Sequence, residues 1–241
     1  MLYITETGPD EYSGTNFSDA LTITSMGAGY PCVAGACMEA LAKFHEFAKT
    51  NYREPHNVFD GPLQYGYKTK LDCFSHFAAN PPYDLQFAQH MGAYRQGRPS
   101  WMDEGFYPVK ERLSVCSTVS TALVTECFSS TSEDLPSVVD QIDKLDVLHD
   151  WPDAKCGEIL ARKMAAMKPG YSKLLVNENC IPDTGADWQN TGQDIMMLTF
   201  VSSKERTRVE WQALLERSGL RIVKIYGVGN GVESLIECEL A

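Results

Sequence analysis

Residues 154–240 constrain the fold most. AKCGEILARKMAAMKPG (154–170) has the apolar spacing of an amphipathic helix and is closed by Pro169 and Gly170. KLLVNEN (173–179) is a short, almost continuously apolar run, as expected of a strand covered on both faces. ERTRVEWQALLERSG (205–219) predicts a second helix with Gly219 as its C-terminal cap. LRIVKIYG and VESLIECEL then predict two strands joined by VGNG, a hairpin signal. Helix, strand, helix and antiparallel pair together describe the end of an α/β sheet.

The first half has a different texture. LYITETGPDEYSGTNFS alternates around the turn signal GPDEY and predicts a hairpin. Residues 32–49 carry Ala, Met, Leu and Phe at helical spacing, and KLDCFSHFAANPP predicts a short helix stopped by Pro81 and Pro82. In DLQFAQHMGAYRQG, Phe87, Met91 and Tyr94 fall on one helical face. Everything to about residue 112 therefore reads as mostly helical with one hairpin.

Composition narrows the function classes. A chain of 241 residues with 44% hydrophobic and 22% charged residues suits one or two globular domains. A net charge of −11 argues against a dedicated nucleic-acid binder, which needs clustered Lys and Arg. No apolar run reaches the roughly 18 residues of a membrane span, and MLYITETGPDEYSG lacks the basic and apolar regions of a signal peptide. The eight cysteines form no CxxC pair, so zinc-site spacing is absent, no metal is expected, and reduced thiols in a cytoplasmic protein are. GVGNG (227–231) resembles a dinucleotide fingerprint but precedes a strand pattern rather than a helix, so it reads as a turn.

The chemistry-bearing stretch is KLDVLHDWPD (144–153), which holds one of only five histidines. Val147 and Leu148 predict the end of a buried strand, with Asp150 capping the next helix and Pro152 and Asp153 in its first turn. Ligands of open α/β sheets gather beyond the carboxyl ends of strands. A histidine there, beside a carboxylate, suits a general base; the plainer alternative is a surface histidine next to an ordinary cap. Glu178 ends the strand LLVNE and projects from the same sheet edge, and Glu205 is expected to start the next helix. For Glu205 the plainer role is a favourable charge at the positive end of a helix dipole. His149, Glu178 and Glu205 together make a plausible proton-transfer site.

These segments carry a family resemblance. VLHDWPDAKCGEIL, LLVNENCIP, DIMMLTF and KERTRVEWQALLERSGL resemble, in order, the C-terminal half of the caffeate-type S-adenosylmethionine-dependent O-methyltransferases, with the fungal secondary-metabolite branch as the nearest likeness. LYITETGPDEYSGTNFSDALT is similar to the wing of that family's winged-helix domain, and FAQHMGAYRQGRPSWMDEGFYPV to the helical segment over the acceptor pocket. The resemblance implies a winged-helix-derived, mostly helical acceptor-covering region over 1–112. It implies a reduced Rossmann-like methyltransferase sheet over 113–241, ending in an antiparallel hairpin. It implies His149 as the base that deprotonates a phenolic or enolic hydroxyl, Asp150 as its neighbour, and Glu178 and Glu205 as its orienting carboxylates. Met196, Phe87 and Met91 would line the site of a small aromatic acceptor, and Asp134 would bind the ribose of S-adenosylmethionine. The family's homodimer uses N-terminal helices that have no counterpart in the quoted segments.

The chain departs from the family on the donor side. Where the family carries an Asp-Val-Gly-Gly-Gly-type turn, residues 114–133 read SVCSTVSTALVTECFSSTSE, without a glycine. A strand-helix-strand unit takes about 30 residues, and neither Arg112 to Asp134 nor Leu135 to Leu148 leaves room for what the family places there. The expectation is a truncated or differently spliced member with two internal segments shortened. Two alternatives to methyl transfer follow from it: a degenerate member serving as partner subunit or inactive, and a pocket that catalyses a donor-independent proton transfer.

Overall fold

The computed structural model describes residues 3–50, 57–94, 98–113, 122–126, 147–227 and 233–241. Asp134, most of the glycine-free segment and the VGNG turn lie outside these residues.

Strands β1 (Ile4–Gly8) and β2 (Glu11–Gly14) pair antiparallel as an exposed hairpin, with Asp10 at the tip in a left-handed conformation (φ 60°). Aspartate tolerates that region better than most residues because its short polar side chain bonds locally. Thr15 then caps α1 (Asn16–Ala20) in a capping box with Ser18. Seven further helices follow: α2 (Thr24–Gly27), α3 (Gly29–Ala36), α4 (Met38–Ala42), α5 (Phe44–Phe47), α6 (Pro62–Tyr67), α7 (Cys73–Ala79) and α8 (Tyr83–Tyr94). A short α9 (Val109–Leu113) leads towards the sheet. The helix predicted across 32–49 is in fact interrupted at Cys37 and Lys43, whose backbone leaves helical geometry. Packing accompanies the break. A Cβ on Gly66 of α6 would lie 2.9 Å from the backbone of Ala40, so the chains approach at glycine distance.

The described residues of the second half contain β3 (Ala122–Glu126), a 3₁₀ turn (Leu148–Asp150), α10 (Asp153–Ala165), β4 (Lys173–Glu178), β5 (Cys180–Ile181) and α11 (Trp188–Val201). It ends with β6 (Arg206–Thr207), α12 (Arg208–Arg217), β7 (Leu220–Tyr226) and β8 (Ser234–Leu240). The main sheet runs β3-β4-β8-β7. β3 is parallel to β4, and β8 is antiparallel to both β4 and β7, so among the described residues one parallel pair joins the expected hairpin. The fold is α/β, as the periodicity switch predicts.

Cys156, Ile159 and Leu160 of α10 and Trp211, Leu214 and Leu215 of α12 are buried with Leu174, Val176, Leu220 and Ile236 of the sheet. Each fully buried Leu or Ile contributes about 1.5–3 kcal/mol. A second cluster gathers Cys32, Ala36, Ala40, Leu63, Cys73 and Phe77 of the helical half, and α11 inserts Phe200 and Val201 into it. α11 thus ties the helices to the site, since it also packs against the 3₁₀ turn that carries His149.

Candidate active site

After Lys173, strand β4 runs through Leu174, Leu175 and Val176, which are sealed between layers, before its last two residues turn polar. The strand then delivers Glu178 into a buried position, 1% exposed. Its Oε1 accepts the backbone N–H of Leu148 at 2.9 Å, and its Oε2 lies 2.5 Å from Nδ1 of His149. One carboxylate therefore holds both the backbone and the ring of the histidine turn. In neutral His149 this bond assigns the proton to Nδ1 and leaves the lone pair on Nε2. Nε2 is 3.7 Å from Oδ1 of Asp150, too far for a hydrogen bond.

Local structure differs here from the sequence expectation in two ways. Leu148, His149 and Asp150 form a 3₁₀ turn rather than the end of a strand. Asp150 does not cap α10; Pro152 occupies the cap position without a side-chain bond, while Asp150 turns back beside His149. Burial pushes the Asp150 carboxyl up to about 6, with the Glu178 charge adding to the rise and His149 opposing it. The Asp150 charge also reaches Cys73 on α7, whose thiol is raised first by its hydrogen bond with Cys37 and then by burial. The helical half thereby borders the site.

Glu205 likewise departs from expectation. It precedes β6 instead of starting a helix, and α12 is capped by Thr207, with Glu210 completing the box. The helix-dipole role therefore does not apply to it. Its backbone N–H donates to Asp194 of α11 at 2.9 Å, and its side chain is buried, 2% exposed. Asn179 is near enough to ease the charge, yet neither carboxylate oxygen has a hydrogen bond of normal geometry among the described residues. Burial, reinforced by Glu178 and opposed by His149, raises the carboxyl from an ordinary 4.5 to about 7.

Glu205 gives the first prediction. Its folded value is raised, so the neutral form favours the fold: stability is full below 4.5 and declines as pH rises to about 7. The cost at pH 8 is about 3 kcal/mol. Glu205→Gln removes the ionisation, so the variant should melt several degrees above the wild type at pH 8. The difference should nearly vanish at pH 4.5. Thermal unfolding at the two pH values checks this; an unchanged difference would show that Glu205 ionises in the fold as it does in the unfolded chain, with no raised value.

The remaining expected residues lie on α8 and α11. Phe87 of α8 turns inward, its ring 5.1 Å from Phe77 and 6.0 Å from Phe74, and Met91 is half-buried on the same helix. Met196 is exposed on α11, one turn beyond Gln193, which accepts a hydrogen bond from Tyr94 of α8. His149, Asp150, Glu178 and Glu205 are therefore brought together, while Phe87, Met91 and Met196 lie on the two adjoining helices.

One participant carries no sequence signal of its own. Arg206 is fully buried, donating to Asp153, to the carbonyls of Leu148 and Trp151, and to Cys156. Its neighbours SSKERT give neither helical nor strand periodicity, so nothing distinguishes it from a solvated arginine. Among the described residues no group of three or more His, Cys, Asp and Glu side chains is arranged to hold a metal, and no helix is long and apolar enough to cross a membrane.

Residues 124–221 match the O-methyltransferase domain family. O-methyltransferase mpaG of Penicillium brevicompactum is 28% identical across 95% of this chain and 70% of its own length. That alignment spans 280 residues, more than the 241 of this chain, so the relative has internal residues without counterpart here. Demethylsterigmatocystin 6-O-methyltransferase of Aspergillus parasiticus is 29% identical across 92% of the chain and 69% of its own length. In fold, the chain is similar to LepI in complex with SAM, with TM-score 0.83 and 21% identity over 99% of this chain and 73% of that one. A pericyclic reaction enzyme shares the fold with the same figures. Along nearly its whole length the chain is similar in sequence to fungal O-methyltransferases, it carries a match to the O-methyltransferase domain over 124–221, and its fold is similar to that of LepI.

Proposed function

We propose that this chain methylates a phenolic or enolic hydroxyl of a small secondary metabolite, using S-adenosylmethionine as donor and His149 as general base. The observation that carries this reading is the buried Glu178 carboxylate 2.5 Å from Nδ1 of His149, which turns Nε2 into the proton-accepting nitrogen. Methyl transfer from a sulfonium needs little more than two positioned substrates and an unmasked oxygen nucleophile. His149 takes the hydroxyl proton, Glu178 stabilises the imidazolium that results, and Asp150 and Glu205 add negative potential around it. A cluster with three carboxyl groups favours a cationic donor over a phosphate-bearing one. S-adenosylmethionine, when bound, supplies the methyl group. On the acceptor side, Phe87, Met91 and Met196 supply apolar surface from α8 and α11, and the helical region over 1–112 covers the acceptor. Release of S-adenosylhomocysteine in the presence of a panel of phenolic acceptors tests the reading. No release from protein shown to bind both donor and acceptor would sink it.

A donor-independent proton transfer is the second reading, and the glycine-free stretch 114–133 favours it. Serine, threonine and valine side chains obstruct the close backbone approach that a glycine turn permits. A likeness in fold to a pericyclic reaction enzyme is compatible with it. Calorimetric titration with S-adenosylmethionine separates the two. Asp134 is the one residue assigned to the donor by resemblance, and an isolated hydrogen bond contributes only about 0.5–1.5 kcal/mol net. The expected dissociation constant is therefore poorer than micromolar. Low-micromolar affinity lost in Asp134→Ala would instead establish a rebuilt donor pocket and remove the second reading.

A further inference from the structure

We propose that Arg206 is a positioning residue for His149: it holds the carbonyls of Leu148 and Trp151 on either side of the histidine, while Glu178 holds the Leu148 amide just before them and the ring between them. The proposal rests on the reading of His149 as the base.

The geometry is a two-sided clamp. Arg206 Nη1 donates to the carbonyl of Leu148 at 3.1 Å, and Nη2 to that of Trp151 at 2.9 Å. These carbonyls bracket the 3₁₀ turn, whose own bond runs from the N–H of Trp151 to the carbonyl of Leu148 at 3.3 Å. The Cys156 thiol lies 3.1 and 3.2 Å from the two carbonyl oxygens and shares its single hydrogen between them, and the Ser203 hydroxyl donates to the carbonyl of Trp151 at 2.9 Å. On the other side stands Glu178, with its bonds to the Leu148 amide and the imidazole. The turn that carries His149 is therefore held before and after the ring.

Both halves of the clamp come from one ladder. β5 begins two residues after Glu178, and Cys180 pairs with Arg206 in parallel register with β6. Arg206 and Glu178 thus keep a fixed separation, set by backbone rather than by flexible side chains. The guanidinium is itself fixed: its Nε and Nη2 donate to Oδ1 of Asp153 at 3.0 and 2.8 Å, and its carbon lies 5.2 Å from the Trp211 ring centroid. Trp211 is anchored in turn by its indole N–H to the carbonyl of Asn179 at 2.8 Å. A planar, permanently charged fork with five donors can serve a carboxylate and two carbonyls at once; a lysine ammonium cannot. A buried arginine is costly unless fully paired, which makes a purely decorative role implausible on physical grounds.

The test is Arg206→Lys, which keeps the charge and removes the fork, compared with Arg217→Gln, which removes the other, solvent-exposed partner of Asp153. Imidazole nitrogen NMR of histidine-labelled protein reads the tautomer and order of His149 without any need for turnover. Arg206→Lys should remain folded, lose the single Nδ1-protonated signature of His149 by broadening or a mixture of tautomers, and lower protection of the Leu148 amide at least tenfold. Arg217→Gln should change neither. If the protein methylates, kcat in Arg206→Lys should fall about 10- to 100-fold with the acceptor KM within about threefold. Should Arg206→Lys not fold, Asp153→Asn loosens the guanidinium without removing it and should shift the same signals in the same direction. An unchanged His149 signature and Leu148 protection in a folded Arg206→Lys, or in Asp153→Asn, would overturn the proposal. Absence of methyl transfer in the wild type would count against the base assignment alone, because the NMR and exchange readouts do not depend on it.

Discussion

Replacing His149 with alanine should lower turnover by about 10²–10⁴-fold, the range for loss of a positioned general base. The expected loss is in kcat, because the imidazole acts on the hydroxyl proton and contributes little ground-state binding. Alanine also strips Glu178 of a partner, so a second variant separates chemistry from structure. His149→Asn keeps an amide N–H where Nδ1 stood and can still donate to Glu178, but has no proton-accepting nitrogen. It should be nearly as stable as the wild type and as inactive as His149→Ala. Glu178→Gln should be less severe than either, since the imidazole remains while its tautomer is no longer enforced. Initial-rate kinetics with thermal melts on the three variants check the order. Equal activity of His149→Asn and the wild type would remove His149 from the mechanism whichever reaction is catalysed.

Much of this site is legible in the sequence because its residues punctuate regular patterns. His149 follows an apolar pair and precedes Trp-Pro-Asp, and Glu178 terminates an apolar strand run, so each lies where a buried element ends. Fold class follows from the same periodicity: α10, β4, α12 and the β7–β8 hairpin occupy the expected stretches. What escapes is whatever depends on tertiary partners. A capping aspartate and a histidine neighbour look identical in HDWPD, and only the 3₁₀ turn decides that Asp150 is the second. Glu205 and Arg206 sit in a polar, aperiodic run whose burial comes from tertiary partners: Asp194 of α11, the His149 turn, Asp153 and Cys156 of α10, and Trp211 of α12. The interruptions at Cys37 and Lys43 reflect the close crossing of α4 and α6, which helical spacing cannot encode. Asp134 is a position for which resemblance speaks and local pattern does not.

Glu237 is the position outside the site where a single change should cost the fold most. It lies fully buried in β8, at the centre of the hairpin sheet, opposite Leu175 of β4 and Lys224 of β7. A carboxylate there is tolerated because four donors converge on it. Arg112 of α9 binds in bidentate fashion at 3.0 and 2.6 Å, Lys173 at the start of β4 forms an ion pair, and the Tyr226 hydroxyl donates at 3.3 Å. Burial alone would raise the Glu237 carboxyl, but Arg112 and Lys173 outweigh it and hold the group below the usual range. Removing one member of a buried pair leaves its partners uncompensated and costs about 3–5 kcal/mol. Arg112 and Lys173 keep partial access to water, with side chains 34% and 19% exposed, so Glu237→Gln should fall at the lower end, about 3 kcal/mol. In a chain of this size that corresponds to a loss of about 6–12 °C in Tm. The sign with pH is opposite to that of Glu205. A depressed carboxyl contributes its stability above the unfolded value and loses it as pH falls through the folded one. The gap between wild type and Glu237→Gln should therefore be widest near neutrality and close in acid. Because Arg112 belongs to the segment that joins the helical half to the sheet, amides of α9 should lose exchange protection in the variant before those of α10 and α12. Equal stability of the two proteins at pH 7 would mean that desolvation cancels the ion pairs, and that Glu237 directs how α9 docks without stabilising the sheet.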